Sequence, residues 1–253
     1  MLRIRAERLN AVLDDIAEHG SVDVLQLASR LGVSGATIRR DLRALHDQGL
    51  LVRTHGGATA NRALELPIRF KAEQHQPEKR RIGQMAASLV EDGAVVGMTG
   101  GTTATEVARA LADRHDITVV TNALNIATEL VLRPNIRLFV AGGKARHATY
   151  ELVGPTAEAM VAAYHFDITF IGVDGLTVAE GCTTHDELEA HTDLAFIRQS
   201  RRNVVIADSS KIGKITFAKI CDISAVSDLV TDADVDVASV DTLTRAGVTV
   251  TTA

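Results

Sequence analysis

The chain has little cysteine, no long apolar run and no overall positive charge, and each lack closes off a class of protein. Only two cysteines occur in 253 residues, Cys182 and Cys221. They stand far apart in sequence with no C-x-x-C spacing, so neither a structural zinc site nor a disulfide framework is expected, and both read as buried thiols. That usage fits a reducing cytoplasm. No stretch approaches the roughly 18 uninterrupted apolar residues of a membrane helix, so no membrane partner is expected. Arg3, Arg5, Glu7 and Arg8 put charges where a signal peptide would carry its apolar core, which points away from export and toward a cytoplasmic location. No internal repeat and no low-complexity tract is present.

The formal net charge of −5 argues against a protein that coats nucleic acid with its whole surface. Its distribution is uneven. Residues 1–81 hold 14 Lys/Arg against 10 Asp/Glu, whereas residues 82–253 hold 13 against 22. Only the N-terminal part is suited to a polyanion. An apolar share of 46% and a charged share of 23% are ordinary for a soluble globular protein, and the length allows one large domain or two unequal ones.

Apolar spacing divides the first 57 residues into three short helices and a hairpin. Leu9, Val12, Leu13 and Ile16 form one stripe over Arg5–Glu18, and Gly20 ends that helix. A second helix over Leu25–Leu31 turns inward Leu27, Ala28 and Leu31. After Gly32-Val33, Ser34 is placed as the N-cap of a third helix reaching about Asp47, with Ile38, Leu42 and Leu45 inward. Leu50–Arg53 reads as a strand, His55-Gly56-Gly57 as a turn, and Ala58–Ala60 as a return strand. A helix, a glycine-containing turn and a second amphipathic helix make a helix-turn-helix. The outer face of its third helix carries Thr37, Arg40 and Arg43, with Ser34 and Gly35 at its start. Arginine can donate two hydrogen bonds to guanine, and a helix N-terminus can approach a phosphate. Arg53 and His55 lie on the hairpin as a wing. The alternative is a solvated basic helix in a small three-helix domain, with His55 merely a turn residue.

Residues 58–78 read as a linker. From 79 to 253 strands and helices alternate, the pattern of a mostly parallel α/β domain. Several strands end in residues suited to phosphate or sugar hydroxyls: Thr99-Gly100-Gly101-Thr102-Thr103, Thr121-Asn122, Gly142-Gly143-Lys144, Asp174-Gly175 and Asp208-Ser209-Ser210-Lys211. Open α/β sheets bind ligands at that edge, and glycines before a helix let backbone N–H groups reach an anion. Each turn by itself is also an ordinary cap or β-turn. The Gly/Thr turn is neither a P-loop nor a full G-x-G-x-x-G. His185 and His191 flank the acidic start of a helix containing Glu187 and Glu189; these read as solvated polar residues, and no metal is expected.

The runs Ser34-Gly35-Ala36-Thr37-Ile38-Arg39-Arg40-Asp41-Leu42 and Gly49–Ala58 resemble the signature of the DeoR family of bacterial repressors. Gly101-Thr102-Thr103, Val119–Asn122, Val153-Gly154-Pro155, Phe170–Gly175 and Asp208–Lys211 resemble its C-terminal sensor. The resemblance implies that Thr37, Arg39 and Arg40 belong to a DNA-recognition helix, with Asp41 pairing structurally to an arginine. It also implies a sensor folded like ribose-5-phosphate isomerase, a phosphorylated sugar as effector, no cofactor, and double-stranded operator DNA bound by a homodimer or homotetramer. Two positions depart from that pattern, Thr99 in place of an Asp and Asp193 in place of a Lys or Asn, and both bear on which effector fits. The competing reading is a sugar-phosphate isomerase or deaminase with an N-terminal appendage. It lacks the acid pair such chemistry needs, because Asp174-Gly175 is followed by Leu176-Thr177-Val178.

Overall fold

In the computed structural model, which describes residues 5–60 and 65–253, the chain divides into two units, Met1–Gln74 and His75–Ala253. The first holds α1 (Arg5–His19), β1 (Ser21–Asp23), α2 (Val24–Leu31), α3 (Gly35–Asp47), β2 (Leu51–Arg53), β3 (Gly57–Ala60) and the single turn α4 (Ile68–Lys71). The expected stripes meet in one core: Val12, Leu13 and Ile16 of α1 pack with Leu27 of α2 and with Ile38, Leu42 and Leu45 of α3. Ala28 and Leu31 sit at its margin.

The wing has one strand more than the hairpin read from sequence. Ser21–Asp23, taken as a lead into the second helix, pairs antiparallel with β3, so the sheet runs β1-β3-β2. Three residues are too few for alternation to be legible. The span 58–78 is likewise not one linker. Thr59 pairs with both Ser21 and Val52, Ile68 is buried, and the next helix begins at Gln76. The units part after Gln74, beside His75 in the left-handed region at φ 51°. Residues 61–64 lie outside the described residues.

The second unit is built on β4 (Val95–Met98), β5 (Ile117–Thr121), β6 (Ile136–Val140), β9 (Ile168–Gly172), β12 (Asn203–Ile206), β14 (Asp228–Thr231) and β15 (Thr249–Thr252). All neighbours are parallel, in the order β15-β14-β12-β9-β4-β5-β6. Runs such as Val95–Met98 and Val204–Ile206 are apolar through their length, as strands covered on both faces must be. The helices are α5 (Gln76–Ser88), α6 (Thr102–Leu111), α7 (Leu124–Leu130), α8 (Pro155–Val161), α9 (Glu187–Arg198) and α10 (Val237–Arg245). From central β4 the chain winds outward to β6, then returns to β9 on β4's other side and winds outward again. The strand order therefore reverses between β4 and β9, where doubly wound sheets open a crevice at their C-terminal edge.

Short antiparallel pieces escaped the sequence reading. A hairpin joins β7 (Lys144–Ala145) to β8 (Leu152–Val153), and a side sheet runs in the order β10 (Gly175–Thr177), β11 (Gly181–Thr184), β13 (Ala218–Cys221). These strands of two to four residues, glycine- and threonine-bearing in β10 and β11, carry no pattern strong enough to separate them from loops.

Candidate functional site

In the first unit the turn between α2 and α3 is fixed by caps at both ends. Gly32 ends α2 at φ 66°, donating its N–H to Ala28. Ser34 caps α3, its Oγ accepting the Thr37 N–H at 3.2 Å and lying 2.9 Å from Thr37 Oγ1. This sets Arg39, Arg40 and Arg43 in solvent on the face opposite Ile38, Leu42 and Leu45, while Thr37 is half-buried at the helix start. Asp41, between those arginines, points inward: Arg8 Nε donates to its Oδ2 at 2.5 Å and Arg8 Nη2 to its Oδ1 at 3.3 Å. One acid is thereby removed from the arginine face. Arg53, at the end of β2, and His55, in the turn, are exposed on the wing, whose turn closes with Thr54 N–H donating to Gly57 O at 3.0 Å. A Cβ on Gly57 would stand 1.8 Å from the Val22 carbonyl oxygen, so only glycine lets β1 and β3 approach here.

In the second unit the loops after β4 and β9 touch at the switch point. A Cβ on Gly172 would stand 2.5 Å from Gly100 O, and Thr99 Oγ1 accepts the Gly172 N–H at 3.1 Å. Gly101, at φ 112°, caps α6 with open space beside it, so the first N–H groups of that helix can be reached by an anion. Thr102 is half-buried there, and Thr103 is buried. Gly100 donates its N–H to Glu151 Oε1 at 3.0 Å, and Asn122 Nδ2 reaches the same oxygen at 3.4 Å. Asn122 Oδ1 is buried without a hydrogen-bond partner among the described residues. On the β9 side, Lys211 Nζ lies 3.0 Å from Asp174 Oδ1, and the Asp174 N–H donates to Thr183 O. Gly175 fits against Lys214 O, which a Cβ would meet at 2.5 Å. Gly143 packs on Val153, and Lys144, which pairs with Val153 in the β7–β8 hairpin, stays exposed.

Sequence reasoning singled out Asp193 but missed Glu151 and the burial of Glu189 beneath these loops. Glu151, Glu189 and Asp193 are all buried. Glu189, expected to be solvated at the start of α9, is instead held by Arg146 and Thr184, while Asp186 caps the helix through the Leu188 and Glu189 N–H groups. Arg146 also pairs with Asp186 at 3.3 Å and donates to Thr149 Oγ1 at 3.1 Å. Burial, and then the charge of Asp193, push the Glu151 carboxyl up to about 7. Asp193 is raised by burial and by Glu189, with Arg146 opposing. Asp208 moves the other way: burial would raise it, but hydrogen bonding from Ser210 and the charges of Lys211 and Lys79 leave it lowered. A lone acid between β7 and β8 gives no periodic signal, so Glu151 was not legible. The positions after Asp174-Gly175 hold no acid pair, and Thr177 Oγ1 accepts the Glu180 N–H in a turn.

A separate groove of about 250 Å³ has Leu176, Val178, Ile212 and Leu243 among its walls. Thr177, Ser239 and Thr242 add hydroxyls to those apolar walls, and no Lys or Arg is among the described residues that line it.

A winged helix-turn-helix and a separate α/β unit ending in anion-suited loops define a two-module DNA-binding regulator. The comparisons narrow the class. The DeoR-like helix-turn-helix domain matches residues 8–63, and the DeoR C terminal sensor domain matches residues 74–233. The chain belongs to the DeoR family of transcription regulators. It is 32% identical over 249 residues to the putative aga operon transcriptional repressor of Escherichia coli O157:H7, covering 97% of this chain and 93% of that one. It is 36% identical to the HTH-type transcriptional regulator GlpR of Haloferax volcanii, covering 97% and 96%. It is 30% identical to the glycerol-3-phosphate regulon repressor of Escherichia coli K12, covering 95% and 96%. These relatives are regulators, and the chain is a DNA-binding transcription regulator rather than an enzyme. Among solved structures, ribose 5-phosphate isomerase A from Methanocaldococcus jannaschii aligns over 55% of each chain at 18% identity and a TM-score of 0.42, too loose a likeness to argue from. No helix among the described residues is long and apolar enough to cross a membrane.

Proposed function

We propose that the chain represses a carbohydrate operon in the cytoplasm and is released from its operator by a phosphorylated sugar. The observation that carries this reading is the meeting of the Thr99–Thr103 loop with Gly172, the last residue of β9 before Asp174-Gly175, at the switch point, with Gly101 opening the start of α6 and Lys211 beside Asp174. The phosphate binds the N–H groups of Gly101, Thr102 and Thr103 and draws Lys211 from Asp174. Asn122, with its unpartnered Oδ1, receives a sugar hydroxyl. Gly143 and Lys144 border the site. Arg39, Arg40 and Arg43 face the major groove, Ser34, Gly35 and Thr37 set the helix start against a phosphate, and Arg53 and His55 follow the backbone from the wing. The names of the relatives, one of them a glycerol-3-phosphate regulon repressor, support an effector of this class.

A dimer or tetramer would place two recognition helices about 34 Å apart on a repeated operator. Calorimetric titration of the full chain with a panel of sugar phosphates tests the site. One phosphate should bind, and Lys211→Ala should weaken it at least tenfold while leaving operator affinity unchanged. Equal binding by Lys211→Ala would place the effector elsewhere.

A further inference from the structure

The only two cysteines of the chain, 39 residues apart in sequence, stand directly opposite each other in the side sheet: Cys182 of β11 is the Cα partner of Cys221 of β13. Opposed residues on antiparallel strands have Cα atoms about 4.5–5.5 Å apart, inside the window of roughly 4.4–6.8 Å that a disulfide spans. Both are free and buried, Cys182 completely and Cys221 with 7% of its surface exposed. Each thiol is the largest influence on the ionisation of the other, in keeping with their opposed positions in the ladder. Gly181 brings the strands close, since a Cβ there would meet Cys221 O at 2.0 Å.

We propose that Cys182 and Cys221 form a redox-modification site, closing reversibly into an intramolecular disulfide when the protein meets a peroxide. The two cysteines have distinct parts. Cys221 is the more exposed, and hydrogen bonding from Cys182 favours its thiolate against burial and the charge of Asp222, with the charge of Lys219 a smaller help. Cys182 is driven the other way and stays protonated. The Cys221 thiolate attacks one peroxide oxygen, the O–O bond breaks, and Cys221 becomes a sulfenic acid. The leaving oxyanion takes up the proton that Cys221 lost on ionising. Cys182 sulfur then attacks the sulfenic sulfur, the S–O bond breaks, and the Cys182 proton leaves with the hydroxyl as water. Two thiols lose two electrons and the peroxide gains them. A thiol reductant reverses the bond.

The cross-link joins the strands that hold the effector loops. Thr183, next to Cys182, accepts the Asp174 N–H at its carbonyl and the Thr216 N–H at its Oγ1. Gly175 pairs with Thr183 across β10 and β11. The register shifts between Cys182 and Thr183, so the bond would close beside an irregular step of the ladder that Asp174 depends on. Formation of the disulfide stands on the sheet geometry alone; its effect on induction rests on the effector site proposed above.

The test uses the full-length protein treated with hydrogen peroxide, then unfolded and alkylated, with intact mass and peptide mapping as readout. Both thiols should disappear together in a monomeric chain, with Cys182 and Cys221 peptides joined and dithiothreitol restoring both. Cys182→Ala should leave Cys221 trapped as sulfenic acid. Two thiols still alkylated, at a peroxide dose that closes a model dithiol peptide, would overturn the proposal, and so would cross-links only between chains. On the same oxidised sample, effector affinity should differ from the reduced form by about fivefold or more. An unchanged affinity with the bond formed would overturn the coupling alone. Failure of any sugar phosphate to bind either form would overturn the effector reading while leaving the disulfide standing.

Discussion

Asp41 shares a helix with Arg39, Arg40 and Arg43 yet turns inward, where both its oxygens meet Arg8. Removing one partner of a buried ion pair leaves the other charge unpaired, so Asp41→Ala should cost about 3–5 kcal/mol of stability, read by chemical denaturation of the first unit's transition. Arg40→Ala should instead fold normally and weaken operator binding by roughly 1–3 kcal/mol if the side chain reads a base. An equal loss on random DNA would make it a phosphate contact. Glu151 gives a pH signature. Its carboxyl is raised from 4.5 to about 7, so between those values the folded chain holds a proton that the unfolded chain has released. Stability contributed by the protonated form is therefore present at pH 4.5 and lost as pH rises to 7, a fall on the order of 3 kcal/mol for an isolated group. Glu151→Gln should flatten that slope in denaturation series across the window; an unchanged slope would mean Glu151 is ionised in the fold. At this scale the pairing of Asp41 with an arginine was legible from the family resemblance. Glu151 and the meeting of Cys182 with Cys221 were not, because each depends on which short strands pair.

Among elements, α3 depends on its cap. Ser34→Ala removes the acceptor for the Thr37 N–H and should lower stability by about 1 kcal/mol. Helix ends carry chemical signals of this kind, and Ser34, Gly32 and Gly20 announced theirs. The mostly parallel α/β character of 79–253 announced itself as well, through apolar runs such as Ile117–Thr121 that alternate with helical periods. Continuous apolar runs between helical periods survive without neighbours to interpret them. β1, β10, β11 and β13 have only three or four residues, and their strand character comes from partners distant in sequence. Gly57 shows the cost of such pairing. Its alanine variant must push β1 from β3, and loss of wing structure should appear as lost amide protection in Ser21–Asp23 on hydrogen exchange, with α5–α10 unchanged. Full protection would mean that the strands can separate without harm.

The whole molecule combines a small, mildly basic unit with a larger acidic one, and that split was visible in charge alone. The strand order was not visible, since alternation of strand and helix does not say which side of β4 receives β9. The reversal between those strands brings the Gly100 and Gly172 backbones together, and the effector site depends on it. Control then requires only that effector and operator favour different states of the full chain, with a coupling of about 1–3 kcal/mol. The most direct measurement is fluorescence anisotropy of labelled DNA from upstream of the chain's own gene, titrated with the full-length protein and then with sugar phosphates. The account predicts tight binding that weakens steeply with salt and is reversed by one phosphate at concentrations where the unphosphorylated sugar does nothing. Binding that no sugar phosphate alters, at any salt where it persists, would contradict it.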